Sequence, residues 1–398
     1  MKNLSYLITS LLATLSFCAC TDSPEQTTSA SANYELSIVD SVQIDLLSSG
    51  LVIADVEDKT GNLLAIQSNP PVAYILSPNG EVLKKMDRLK DDPQAVGRIL
   101  SGEFFEDGVA LMGRMIVKTY DMDFNLRKSL RAHYNESGMI YMGLNHLHEF
   151  DTDQGNRLLS FFGPQTDEQA FFKGYYENYN LVDIINPSLV EKTNASNSGA
   201  GVDSVYQPLG GFSEDSRFLK GRAFYFLRPV FDVKNNQMIY AFEMDTTLFK
   251  MNLPNGDIEA RYKIPFDDFI LFDGYTMGMA GINEQNAPRD RSGRISHVYQ
   301  IDDVEVIVYK SGMKLTDIEA LDINATDFRQ RLERIDYKKY LIVKNGKRLN
   351  SELRFPEKVS YLDLADKDGF IWGHQNVNIL DEEPELITFY KLRVVASD

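Results

Sequence analysis

The chain is predicted to fold as an all-β, six-bladed β-propeller. Three observations support this. A turn followed by apolar strands recurs six times along the 398 residues. The connecting turns use Pro-Asn-Gly, Asn-Gly and Asp-Gly, residues that tolerate the positive φ of tight hairpins. Few strands are followed by the helical periodicity that a parallel α/β fold requires. Units of this kind cannot bury their own faces, so they stack radially, and ~4 to 8 of them make a ring.

The unit is clearest in "VEDKTGNLLAIQSNPPVAYILSPNGEVLKKM", Val56 to Met86. A turn from Asp58 to Asn62 leads into an inner strand, Leu63 to Gln67. A second strand, Val72 to Leu76, the turn "SPNG" and a third strand, Glu81 to Lys85, follow. The pattern restarts at the turn Asp107-Gly108 and near Gly155, Asn236, Asp302 and Gly369, unevenly spaced because of insertions. One helix is expected, "TDFRQRLERI", with Thr326 as its cap and Phe328, Leu332 and Ile335 on one face, between two strands of the fifth blade. In "FIWGHQN" the alternation of a strand puts Ile371 and Gly373 on one side and Trp372 and His374 on the other. Trp372 then reads as a blade-packing residue. The sixth unit ends without an outer strand, whereas "YELSIVDSVQIDLL", Tyr34 to Leu47, alternates like a strand ahead of the first unit. Pairing it onto the last blade closes the ring and removes exposed edges.

The chain opens "MKNLSYLITSLLATLSFCAC", with Lys2 ahead of an uncharged, mostly apolar run from Leu4 to Ala19. This is the layout of a secretory signal peptide, and it is shorter than the about 20 residues of a membrane span. Cys20 follows small Ala19, as the acylated cysteine of a bacterial lipoprotein does; Cys18 follows bulky Phe17 and fits poorly. A Cys-x-Cys metal or redox pair finds no partner cysteine later in the chain. The expected organisation is a lipoprotein signal peptide at 1–19, a flexible polar tether at 20–33 and the propeller at 34–398, with Cys20 as a lipid anchor to the membrane. With this start, with "DKTGNLLAI…SPNGEVL" and with the final "ADKDGFIWG…ITFYKLRV", the chain resembles the six-bladed, TolB-like β-propeller lipoproteins of Bacteroides-type bacteria. The resemblance implies the architecture and an envelope location, and the acidic "TDSPEQ" just after Cys20 points to the outer membrane. Much of that family has no assigned activity, and no catalytic residue follows from it.

Removing residues 1–19 removes only Lys2, so the formal charge goes from −17 to −18. Phosphate backbones repel so acidic a chain, which argues against a nucleic-acid partner. No G-x-S-x-G elbow, H-E-x-x-H pair or phosphate loop is present. "GAGVDS" at Gly199 reads as a surface loop, not a dinucleotide loop. His146 and His148 in "HLHEFDTDQGN" share a strand face, but no third ligand is indicated, and Gly155 and Phe162 stand where a calcium loop needs oxygen ligands. Neither a metal nor a cofactor is expected. The acidic pairs Asp121/Asp123, Asp302/Asp303 and Glu382/Glu383 fall at turns, where aspartate favours local hydrogen bonds.

Three insertions are richer. Residues 161–180 hold Phe171, Phe172, Tyr175, Tyr176 and Tyr179; residues 206–229 add Arg217, Arg222 and Arg228; residues 272–297 add Tyr275, Arg289, Arg291 and Arg294. Tyrosine and arginine together suit planar polar ligands, through stacking and forked hydrogen bonds. The expected ligand-binding residues are Tyr175, Tyr176, Arg228, Tyr275 and Arg291. The expected function is an envelope module that binds a carbohydrate, a peptide or an envelope protein, with no catalytic residue assigned. The alternatives are a glycan-active hydrolase or lyase, which requires carboxylates converging on the central channel, and a scaffold subunit of an envelope complex.

Overall fold

A computed structural model describes residues 33–48, 50–88, 91–132, 146–164, 166, 168–189, 205–224, 227–322, 324–382 and 384–397. The signal segment, Cys18, Cys20, the tether up to residue 32 and "GAGVDS" lie outside the described residues. The rest forms six four-stranded antiparallel sheets arranged in a ring, a six-bladed β-propeller. Its innermost strands are Leu51–Val56, Ser101–Phe105, His148–Phe150, Pro229–Lys234, Arg291–Ile301 and Val359–Ala365. Each meets the next around the ring, and the sixth meets the first.

The strand Leu63–Gln67, expected to be the inner strand of its blade, is the second one. The true inner strand, Leu51–Val56, precedes the turn, and the same displacement applies to the other blades. Turn chemistry marks the first hairpin of every blade, and a unit counted from its turn begins one strand too late. The first hairpin of the second blade turns at Glu106-Asp107, with φ 55° at Glu106, one residue earlier than Asp107-Gly108. Asn345 and Gly346, with φ of 50° and 73°, make the two-residue turn that their sequence demands.

The last blade closes as the sequence predicts. The strand Asn33–Ile44 pairs antiparallel with Ile387–Ser397, from Asn33 opposite Ser397 to Ile44 opposite Ile387. It begins one residue earlier and ends three residues sooner than the alternation suggested. The expected helix spans Phe328–Ile335 between the second and third strands of the fifth blade, with Asp327 and not Thr326 at its N-cap.

The core consists of six apolar wedges, one between each pair of neighbouring blades. Strand alternation sends one side chain to each wedge in turn. Ile371 joins the wedge between the fifth and sixth blades, whereas Trp372, 1% exposed, joins the wedge between the sixth and first. The indole N–H of Trp372 donates to the Asp366 carboxylate at 2.9 Å. The wedge between the third and fourth blades is the one into which the insertions pack: Tyr175, Tyr176, Tyr179, Phe218 and Phe224 extend it beyond the strands.

Because successive strands are antiparallel, the turn after each inner strand opens on one face of the ring. The excursions after second strands, and those that enter the next inner strand, gather on the other face. The long insertions 161–181, 210–228 and 264–290 are all of these two kinds.

Candidate functional site

The segment between the fourth and fifth blades is built onto its neighbours before it forms any surface. Tyr275–Thr276 pairs with Arg222–Ala223 as a two-stranded sheet outside the blades. The Arg222 guanidinium donates to the carbonyls of Asp273 at 3.1 Å and Gly274 at 2.5 Å. Arg217 donates to the carbonyls of Met244, at 3.0 Å, and Phe272. A short helix, Met279–Glu284, folds back, and Glu284 accepts from the Thr276 hydroxyl at 2.5 Å and the Thr276 N–H at 2.9 Å. Gly281 is needed there, because a Cβ would collide with the Thr276 carbonyl. Gly278 N–H donates to the Phe171 carbonyl at 2.7 Å, which joins this segment to the first insertion.

Together these elements frame a cleft of about 660 Å³ between the fourth and fifth blades on the insertion face. That volume lies within the usual range for small-ligand sites. Phe272 and Tyr275 supply its aromatic wall, Gln285, Asn286 and Ser292 neutral polar groups, and Arg289, Arg291 and Arg294 its charge. Arg289 lies 4.4 Å from the Tyr275 ring centroid, and its guanidinium donates to the carbonyls of Glu284, at 3.1 Å, and Gln285. Arg291 reaches Asp336 at 3.2 Å, and Arg294 reaches Glu243 at 3.6 Å. Both acids are buried, and each has a second cation: Lys310 stands 3.6 Å from Asp336, and Arg228 Nε donates to Glu243 at 2.6 Å. Among the described residues Asp290 is the carboxylate lining the cleft, and it is engaged by Lys314 at 3.3 Å and by the Leu315 N–H at 2.8 Å.

The structure separates the five expected site residues. Tyr275 and Arg291 line the cleft. Tyr175 and Tyr176 are 4% and 3% exposed, in the wedge between the third and fourth blades. The Tyr176 hydroxyl donates to the Ala170 carbonyl at 2.6 Å and accepts from the Phe224 N–H at 2.5 Å, so it stitches two insertions together. These rings pack the insertions against the rim, because Tyr and Phe bury large areas and a buried hydroxyl finds a partner nearby. Arg228 sits behind the cleft, on Glu243.

A second polar cluster lies along the inner strands. Asp55 accepts from the Phe104 N–H at 2.7 Å, Glu103 from Glu149 N–H at 3.0 Å, Asp232 from Gln300 N–H at 2.7 Å and Asp363 from Ile53 N–H at 3.2 Å. Each carboxylate thus ties its inner strand to the backbone of the next blade, a structural use of these acids. Burial raises the pKa of all four, with Asp232 pushed up to about 7 and Asp363 to about 8. Sequence reasoning missed this set. The available signal was an acid flanked by apolar residues shortly before a blade's turn, as in "ADVEDKTG", "FDVKNN" and "LDLADKDG".

The two histidines of "HLHEF" meet a third, His297, from the fifth blade. Ring centroids lie 5.8 Å apart for His146 and His148 and 6.1 Å for His146 and His297. Burial lowers the pKa of all three, to about 4 for His146 and about 3 for His148. Among the described residues, no three His, Cys, Asp or Glu side chains are placed to hold a metal ion.

Ring and cleft together define the class: a six-bladed β-propeller with a ligand-sized, arginine-rich cleft on its insertion face. Two solved structures share the fold. A member of the DUF4221 family from Bacteroides vulgatus is 11% identical, with TM-score 0.59 over 92% of this chain and 100% of its own. A protein of Bacteroides fragilis whose name assigns it to export is 12% identical, with TM-score 0.53 over 93% of this chain and 97% of its own. No family model and no curated protein matches the sequence.

Proposed function

We propose that the protein is a ligand-capture module of the cell envelope, held by a lipid on Cys20 and binding a saccharide or peptide in the cleft between its fourth and fifth blades. The cleft itself carries this reading: a rigid ring presents aromatic and arginine side chains around about 660 Å³. Loops on a rigid scaffold are where binding groups concentrate. The anchor rests on the sequence alone, on the apolar run that ends in Ala19-Cys20, and so does kinship with the TolB-like propeller lipoproteins. No helix among the described residues is long and apolar enough to cross a membrane.

The test is a thermal-shift screen against oligosaccharides and peptides. A ligand at 100 times its Kd adds about 2.7 kcal/mol of stability, a readily measured shift. Replacing Tyr275 and Arg291 together by alanine is expected to abolish the shift produced by any hit. A hit that binds this variant with unchanged affinity would place the site elsewhere and remove the proposal.

A further inference from the structure

We infer that the cleft selects saccharides bearing carboxylates, acidic sugars of the uronate type, over neutral ones. This rests on the ligand-capture reading and specifies its ligand. The first reason is a local inversion of charge. The chain carries 58 acidic against 41 basic side chains, yet among the described residues the cleft is lined by Arg289, Arg291 and Arg294 against Asp290, while the buried Asp336 and Glu243 beside them are matched by Lys310 and Arg228.

The second reason is how the arginines are held. Each is fixed at one end by the protein: Arg289 by two carbonyls, Arg291 by Asp336 and Arg294 by Glu243. A guanidinium has five N–H donors in a rigid fork, so these anchors orient the group and leave further donors for a ligand. Arg291 and Arg294 keep 50% and 52% of their side-chain surface open. They lie on one strand, three residues apart, and both line the cleft, one paired with Asp336 and the other with Glu243 in the fourth blade. Such a pair of forks matches carboxylates, which take two parallel N–H bonds from arginine.

The third reason favours a sugar as the carrier of the charge. Phe272 and Tyr275 provide apolar faces, and Gln285, Asn286 and Ser292 provide short neutral donors and acceptors of the kind that hydroxyl groups use.

The experiment is titration calorimetry of the protein with a galacturonate trisaccharide and with the neutral galactose trisaccharide of the same linkage. The acidic sugar is expected to bind at least tenfold tighter, and its affinity to fall as salt rises from 50 to 500 mM. The double variant Arg291→Gln, Arg294→Gln should lose that preference, and the single variant Arg294→Gln, which leaves Glu243 on Arg228, should weaken it while keeping its melting temperature. Equal binding of the two sugars would overturn the inference and leave ligand capture standing. Binding of neither would overturn this inference, and ligand capture falls with it only if the wider screen is also flat. Acidic-sugar binding that the double variant leaves unchanged would overturn the assignment to these arginines.

Discussion

Glu243 shows how single residues set the geometry of the cleft. Its side chain is 4% exposed, an unfavourable place for a charge unless cations compensate it. Arg228, 17% exposed, lies close against it, and Arg294, 52% exposed, stands 3.6 Å away. The two contributions differ in kind. Arg228→Ala leaves a buried carboxylate with one distant, solvated partner and is expected to cost ~3 kcal/mol, within the range for breaking a buried pair. Arg294→Ala should cost under about 1 kcal/mol, as an exposed pair does. Urea denaturation of both variants checks the ranking, and equal losses would mean that Arg228 does not neutralise Glu243. A residue-by-residue reading of the sequence found three arginines in the segment 289–294 but not the acids that hold two of them. Glu243 and Asp336 are separated from their partners in sequence, and only the packing of blades brings them together.

Elements differed in how legible they were. Hairpin turns were readable because positive φ restricts the residues that fit, as at Asn345-Gly346. Inner strands such as Ser101–Phe105 are missed when each unit is counted from its turn, because the inner strand precedes that turn. The aromatic insertions were visible as insertions, yet composition does not distinguish a tyrosine that packs, such as Tyr176, from one that lines a cleft, such as Tyr275. The closing strand was legible because a surplus strand at one end matched a missing strand at the other. Deleting residues 33–44 is expected to expose the edge of Ile387–Ser397 and loosen the adjoining wedge. Trp372, the sole tryptophan, lies in that wedge, so its emission should shift to the red and its unfolding should separate from that of the far-ultraviolet circular dichroism. Coincident transitions at the original temperature would show that closure contributes nothing.

Across the whole ring, the inner-strand acids and the histidines make stability depend on pH in opposite senses. Asp232 and Asp363 hold their protons to about 7 and about 8 in the fold because burial disfavours their charge. The unfolded chain releases those protons near pH 3.9. Over the interval the folded state binds more protons, so stability declines as pH rises towards 8. His146 and His148 stay neutral down to about 4 and about 3, whereas in the unfolded chain they charge near 6.5; they lower stability as pH falls below that value. Of the two sets, the inner-strand acids, Glu103 and Asp55 among them, dominate between pH 6.5 and 8. Asp363→Asn, which keeps an oxygen to accept the Ile53 N–H, should flatten the decline there, read as the melting temperature against pH. A decline of unchanged steepness would mean that Asp363 is ionised in the fold at neutral pH.

The pairing of Asn33 with Ser397 also imposes an order of events on synthesis. These partners are 364 residues apart, and at ~5–20 residues per second the ribosome takes roughly 20–70 s to make the stretch between them. The first strand of the ring to be made is therefore the last to find its neighbour. Until then a twelve-residue strand waits with both edges open, and any product cut short before residue 387 has nothing for it to pair with. Synthesis through residues 387–397 is thus the condition for closing the ring, and a product cut short before them keeps an unpaired strand edge of the kind that favours aggregation.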